Sequence, residues 1–155
     1  DGNNTITTGA GDDIVTTGTG DDTITTGAGD DEIYAGGGSD IVTAAAGSDL
    51  LVYVAAENST VSTNDLYDGG TGFDTLRLDL TRAEWMRADV QTDIANYLEF
   101  LAANTGANGE DNTASYTFSV FALTVSNVEE LALTVDNVVI DPANHAVTLL
   151  NDVVS

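Results

Sequence analysis

The sequence predicts a mainly β chain: a parallel β-roll of short stacked coils, followed by an α+β capping region that contains one amphipathic helix. Three observations carry this. Large apolar residues recur every nine positions, at Ile6, Val15, Ile24, Ile33, Val42 and Leu51. In the same register run Asn4, Asp13, Asp22, Asp31, Asp40 and Asp49, and the glycines Gly2, Gly11, Gly20, Gly29, Gly38 and Gly47. A single later segment, about 82–103, carries a helical period instead, and the chain beyond it is strand-like.

Each nine-residue unit is a glycine-rich turn followed by a three-residue strand. A second glycine stands in most turns, at Gly9, Gly18, Gly27 and Gly36. Glycine reaches positive φ without a Cβ penalty and lets carbonyls point inward at a shared centre. Within the strand the apolar residue faces in and its two neighbours face out, because side chains alternate. One unit makes half a coil, so two units complete a turn of a flattened solenoid, with coils stacked at roughly 4.8 Å.

This stacking decides where the acids go. Units on one side are 18 residues apart, so Asn4, Asp22 and Asp40 form one column and Asp13, Asp31 and Asp49 the other. Neighbouring carboxylates on the order of 5 Å apart repel by about 1–3 kcal/mol per pair between dielectric 80 and 20. No basic side chain relieves this: lysine is absent, and the only arginines are Arg77, Arg82 and Arg87. A hard divalent cation would. Calcium takes six to eight oxygens in flexible geometry, whereas magnesium demands a tighter octahedron and zinc prefers His or Cys. The metal expected is calcium, in several ions. The adjacent Asp12, Asp21 and Asp30 fall one residue off the ligand position and are expected to face solvent.

The bulk composition narrows the function. A net charge of −23, from 26 acidic and 3 basic residues, disfavours nucleic acid and anionic membrane as partners. Cysteine is absent, which removes disulfides and thiolate metal sites, and no apolar run is long enough to span a bilayer. The chain opens at "DGNNTIT", partway through a repeat and without a signal peptide, as expected of a piece of a longer protein.

The segment "GGTGFDTLR", 69–77, fully matches the nonapeptide G-G-x-G-x-D-x-U-x. "TGAGDDIVT", "TGTGDDTIT", "TGAGDDEIY" and "AGGGSDIVT" match with the first glycine replaced, and "AAGSDLLVY" loses two. The repeats thus resemble the RTX (repeats-in-toxin) calcium-binding domain of large bacterial type I secreted exoproteins and adhesins. The resemblance implies calcium between same-side turns, held by the sixth-position carboxylate and turn carbonyls. The carboxylates are Asp13, Asp22, Asp31, Asp40, Asp49 and Asp74, with Asn4 as an uncharged variant. The turns are those of Gly9, Gly11, Gly18, Gly20, Gly27, Gly29, Gly36, Gly38 and Gly47. It also implies export through the type I secretion machinery, C-terminus first, and an extracellular or cell-surface location.

The domain division follows: 1–53 as the roll, 54–80 as an insertion plus the last repeat (69–77), and 81–155 as the capping region. Asp49 and Asp74 lie 25 residues apart, so "VAAENSTVSTNDLYD" interrupts the register. Thr81 and Glu84 predict a capping box at the helix start. Val90, Ile94, Tyr97, Leu98 and Leu101 follow helical spacing, and Trp85 is a core anchor. "SYTFSVFALTV", "VEELALTVDNVVID" and "HAVTLLNDVVS" are strand-like. Of the two outer faces, Ile14, Thr16, Glu32, Tyr34, Leu50 and Val52 form the more apolar set, and the helix is expected to pack there.

The function expected is a non-enzymatic, calcium-dependent folding module, disordered in low-calcium cytosol and folded outside the cell. The alternative is a recognition domain of an adhesin, for ice through the Thr5, Thr7, Thr23, Thr25 and Thr43 face, or for sugar or peptide. No catalytic set is expected: His145 is the single histidine, and Ser115 and Ser126 lack a nucleophile elbow.

Overall fold

The computed structural model describes residues 1–59, 63–106 and 112–144. Over the first 54 residues the chain alternates between two sheets. Strands β1 (Thr5–Thr7), β3 (Thr23–Ala28) and β5 (Ile41–Ala46) lie in one, and β2 (Ile14–Thr16), β4 (Glu32–Tyr34) and β6 (Leu50–Val54) in the other. Pairing is parallel, with Thr5 opposite Thr23 and Thr23 opposite Ile41, so each coil takes 18 residues. The fold is mainly β and its sheets are mostly parallel.

The sheets continue beyond residue 54. A short 3-10 helix, Ala55–Asn58, fills part of an enlarged coil before β7 (Asp65–Asp68) joins β5 and β8 (Thr75–Leu80) joins β6. After β8 the chain leaves the sheets through α1 (Arg82–Trp85), α2 (Ala88–Asn104) and β9 (Ser115–Thr117). It then returns: β10 (Leu123–Ser126) adds in parallel to β7, and β11 (Glu130–Val135) adds in parallel to β8. Each sheet ends on an antiparallel strand, β9 beside β10 and β12 (Val138–Ile140) beside β11.

Burial follows the strand alternation. Ile24, Val42, Leu51 and Leu76 are buried, and each full side-chain burial contributes about 1.5–3 kcal/mol. A second inward row explains the missing first glycines. Thr26, Ala35 and Ala44 are buried there, and the Thr26 hydroxyl donates to the Ala44 carbonyl one coil later at 2.9 Å. Further along, larger buried side chains such as Tyr53, Tyr67 and Leu78 appear, so the interior thickens.

The helical segment is two helices. Thr81 and Glu84 form a capping box on α1, but Arg87 is extended (φ −75, ψ 129) and separates α1 from α2. The expected packing on the apolar outer face is not what the structure shows. Ile14 stays 75% exposed, while α2 buries Tyr97 against Tyr116 and Phe118, with ring centroids 5.0 and 4.8 Å away. An aromatic cluster at the returning chain offers more apolar area than a thin strand face. Val52 on that face is covered locally instead. Its register neighbours are Tyr34 and Arg77, and the Arg77 guanidinium carbon sits 5.4 Å from the Tyr34 ring centroid. The segment "HAVTLLNDVVS", with His145, lies outside the described residues.

Candidate metal centre

The sixth-position acids form two hydrogen-bonded columns. On one side the Asn4, Asp22 and Asp40 backbone N–H groups donate to Oδ1 of Asp22, Asp40 and Asp65 at 2.7, 2.9 and 2.8 Å. On the other side Asp13, Asp31 and Asp49 donate to Oδ1 of Asp31, Asp49 and Asp74, each at 2.8 Å. Every coil therefore hands one carboxylate oxygen to the coil before it. The predicted acids up to Asp49 fall where the nine-residue register puts them, and Asp74 joins the second column 25 residues after Asp49. Asn4 also sends its side-chain amide to Asp22 Oδ1 at 3.1 Å.

The second oxygen of these acids is the informative one. Oδ2 of Asp22, Asp31, Asp40, Asp49 and Asp65 is buried and accepts no hydrogen bond from the described residues. A buried carboxylate oxygen without a donor is costly, because its lost hydration is not replaced. Burial accordingly pushes Asp40 up to about 6 and Asp65 up to about 7, and raises Asp49 as well. For Asp40 and Asp65 the hydrogen bond from the preceding coil opposes this rise, while neighbouring acids reinforce it.

These oxygens fit a cation that takes oxygen ligands. Among the described residues no three His, Cys, Asp or Glu side chains converge on one point, so carboxylates could supply only part of a shell. The turns stack main chain closely on main chain. A Cβ built on Gly27 would lie 2.0 Å from the Gly9 carbonyl oxygen, and one on Gly47 would lie 1.9 Å from that of Gly29. Gly47 also has φ +152, which L side chains rarely adopt. Backbone bonds such as Gly11 N–H to Ala28 O, 2.6 Å, stack one turn on the next.

Three segments, 1–24, 16–51 and 60–78, match the family model of the RTX calcium-binding nonapeptide repeat. These segments are RTX repeats. They bind calcium, several ions to an array. No curated protein and no solved structure matches the chain. RTX repeats therefore account for the paired glycines, the sixth-position acids and the parallel coils, while residues 79–155 lie outside the matched segments.

Two column members were missing from the sequence reading. Asp65, fully buried, continues the Asp22 and Asp40 column, but an enlarged coil puts it 25 residues after Asp40 and its turn lacks the glycine signature. Glu129 follows Asp74 after 55 residues, where no periodicity could point to it. The fifth-position acids also do more than face water. Asp12, Asp21 and Asp30 are exposed, yet their Oδ1 atoms accept from the N–H of Asp30, Ser39 and Ser48 in the next coil at 2.9, 2.9 and 2.8 Å. Fifth and sixth positions thus bind in opposite directions along the roll.

The threonine face is in register but broken. Thr7, Thr25 and Thr43 are aligned, while the neighbouring row runs Thr5, Thr23 and then Ile41 and Leu66, which are 48% and 43% exposed.

Proposed function

We propose that the chain is a calcium-dependent folding module of an extracellular protein, with ions seated between successive sixth-position acids. The seats are the pairs Asn4/Asp22, Asp22/Asp40, Asp40/Asp65, Asp13/Asp31, Asp31/Asp49 and Asp49/Asp74. Their shells are completed by carbonyls of the turns at Gly9, Gly11, Gly18, Gly20, Gly27, Gly29, Gly36, Gly38 and Gly47. The single observation that carries this is the set of buried Oδ2 atoms without donors among the described residues. Calcium would supply the countercharge they lack, and a ligand that binds only the folded state adds its binding energy to folding.

In low-calcium cytosol the columns repel and the repeats stay extended, a state suited to type I export. Outside, millimolar calcium closes the coils. The returning strands β10 and β11 pair the edges of β7 and β8, which an open roll would leave exposed to pairing with other chains, and the antiparallel β9 and β12 follow them. The role is structural and not catalytic. Circular dichroism during calcium titration, with magnesium as control, tests the reading. A β-rich spectrum that develops with calcium and not with equal magnesium is expected; a roll fully formed in chelator would overturn it.

A further inference from the structure

The column that starts at Asp13 ends differently from the way it is built. Asp31 and Asp49 each give Oδ1 to the preceding coil, and their Oδ2 atoms accept no hydrogen bond from the described residues. One step past Asp74 the position is taken by Glu129. Its Oε2 accepts the Asp74 N–H at 2.8 Å, as a lower rung would. Its Oε1 accepts the N–H of Asn112 at 2.6 Å. Both oxygens of Glu129 are thus held by main-chain donors.

Asn112 is built for this contact. It is 1% exposed, its amide nitrogen donates to the Val128 carbonyl at 3.1 Å, and its Oδ1 accepts from Ala114 N–H at 3.1 Å. The turn leading to Glu129 is also unlike the lower ones. It reads Ser126, Asn127, Val128, with no glycine, and Asn127 Nδ2 donates to Asp68 Oδ1 at 2.6 Å. The carboxylate pattern continues here, but the glycine turn that would complete an oxygen shell does not.

We infer that Glu129 is a metal-free stop for this ion column: the Asn112 N–H holds the oxygen that a cation holds on the lower rungs. The last ion on this side then sits between Asp49 and Asp74. This rests on the calcium columns proposed above. It joins Asn112, ahead of β9, to the roll through two N–H donors on one carboxylate, with no ion in the joint itself.

Crystals of the full chain loaded with terbium, a calcium substitute with strong anomalous scattering, test the inference without a variant. Peaks along both columns, one of them between Asp49 and Asp74, and none in contact with the Glu129 carboxylate, are the expected result. A peak on Glu129 overturns the stop while leaving the columns standing. No peaks in either column overturns the columns, and the stop with them. Calorimetric ion counting gives a second reading. Glu129→Gln should bind as many calcium ions as the wild type and Asp49→Asn fewer, whereas loss of an ion in E129Q contradicts the inference.

Discussion

Asp65→Asn should change stability in opposite directions depending on calcium. Asparagine keeps an oxygen for the Asp40 N–H, which donates to Asp65 Oδ1 at 2.8 Å, and removes the charge from a fully buried position. Burial takes Asp65 from 3.8 to about 7. At 1.36 kcal/mol per unit this opposes the charged, ion-free form by about 4 kcal/mol, or roughly a thousandfold in the folded-to-unfolded ratio. In chelator above pH 7, D65N should therefore show a larger folded fraction than wild type. In saturating calcium the variant loses a ligand. An ion at a hundredfold its dissociation constant contributes about 2.7 kcal/mol and offsets only part of that cost, whereas at ten-thousandfold it contributes about 5.5 kcal/mol and exceeds it. Saturation at that level should leave D65N about 1.5 kcal/mol less stable than wild type and lower its Tm by roughly 3–6 °C. The sign of the difference is therefore set by calcium. Circular dichroism melts in chelator and in calcium read both arms. A variant less stable in both conditions, or more stable in both, would refute the reasoning.

The remaining predictions concern pH, glycine and the outer face. A carboxyl whose pKa is raised by folding favours the fold when protonated, so its contribution is present below about 4 and lost as pH rises through about 6 for Asp40 and about 7 for Asp65. In chelator, β content should rise on acidification across that window; in calcium it should not, because protons displace the ion. Gly47→Ala should cost several kcal/mol, since its Cβ meets the Gly29 carbonyl at 1.9 Å and its φ is +152, whereas Gly9→Ala, with nothing within 4 Å, should shift Tm little. Arg77→Ala removes the Tyr34 contact and the bond to Asp79 Oδ1 at 2.9 Å, and should cost about 1–2 kcal/mol in thermal melts without changing the calorimetric calcium count.

Much of the arrangement of acids was legible because its rule is local. A nine-residue unit fixes which residue enters the coil and which side the next acid occupies, so Asp13, Asp22, Asp31, Asp40 and Asp49 could be placed by counting, and Asp74 by the nonapeptide match of 69–77. Asp65 escaped because the coil before it is longer and its turn carries no glycines. Glu129 escaped because the chain leaves the roll for α1, α2 and β9 before returning. That β10 and β11 extend the same two sheets is a matter of long-range register, which alternation within a strand does not encode. The break at Arg87 was hidden because no glycine or proline marks it in the sequence. The outer face misled for a different reason. Only its Val52 end is shielded, by Arg77 over Tyr34, while Ile14 stays exposed and no helix covers it.

The central claim is that calcium locks each coil to the next through the sixth-position acids. Residue-resolved amide hydrogen exchange at Asp22, Asp31, Asp40 and Asp49 tests it most directly, because each of these N–H groups donates to the acid one coil later. Slow exchange in calcium and exchange near the unstructured rate in chelator is the predicted result. Equal protection at these four amides in both conditions would contradict the account.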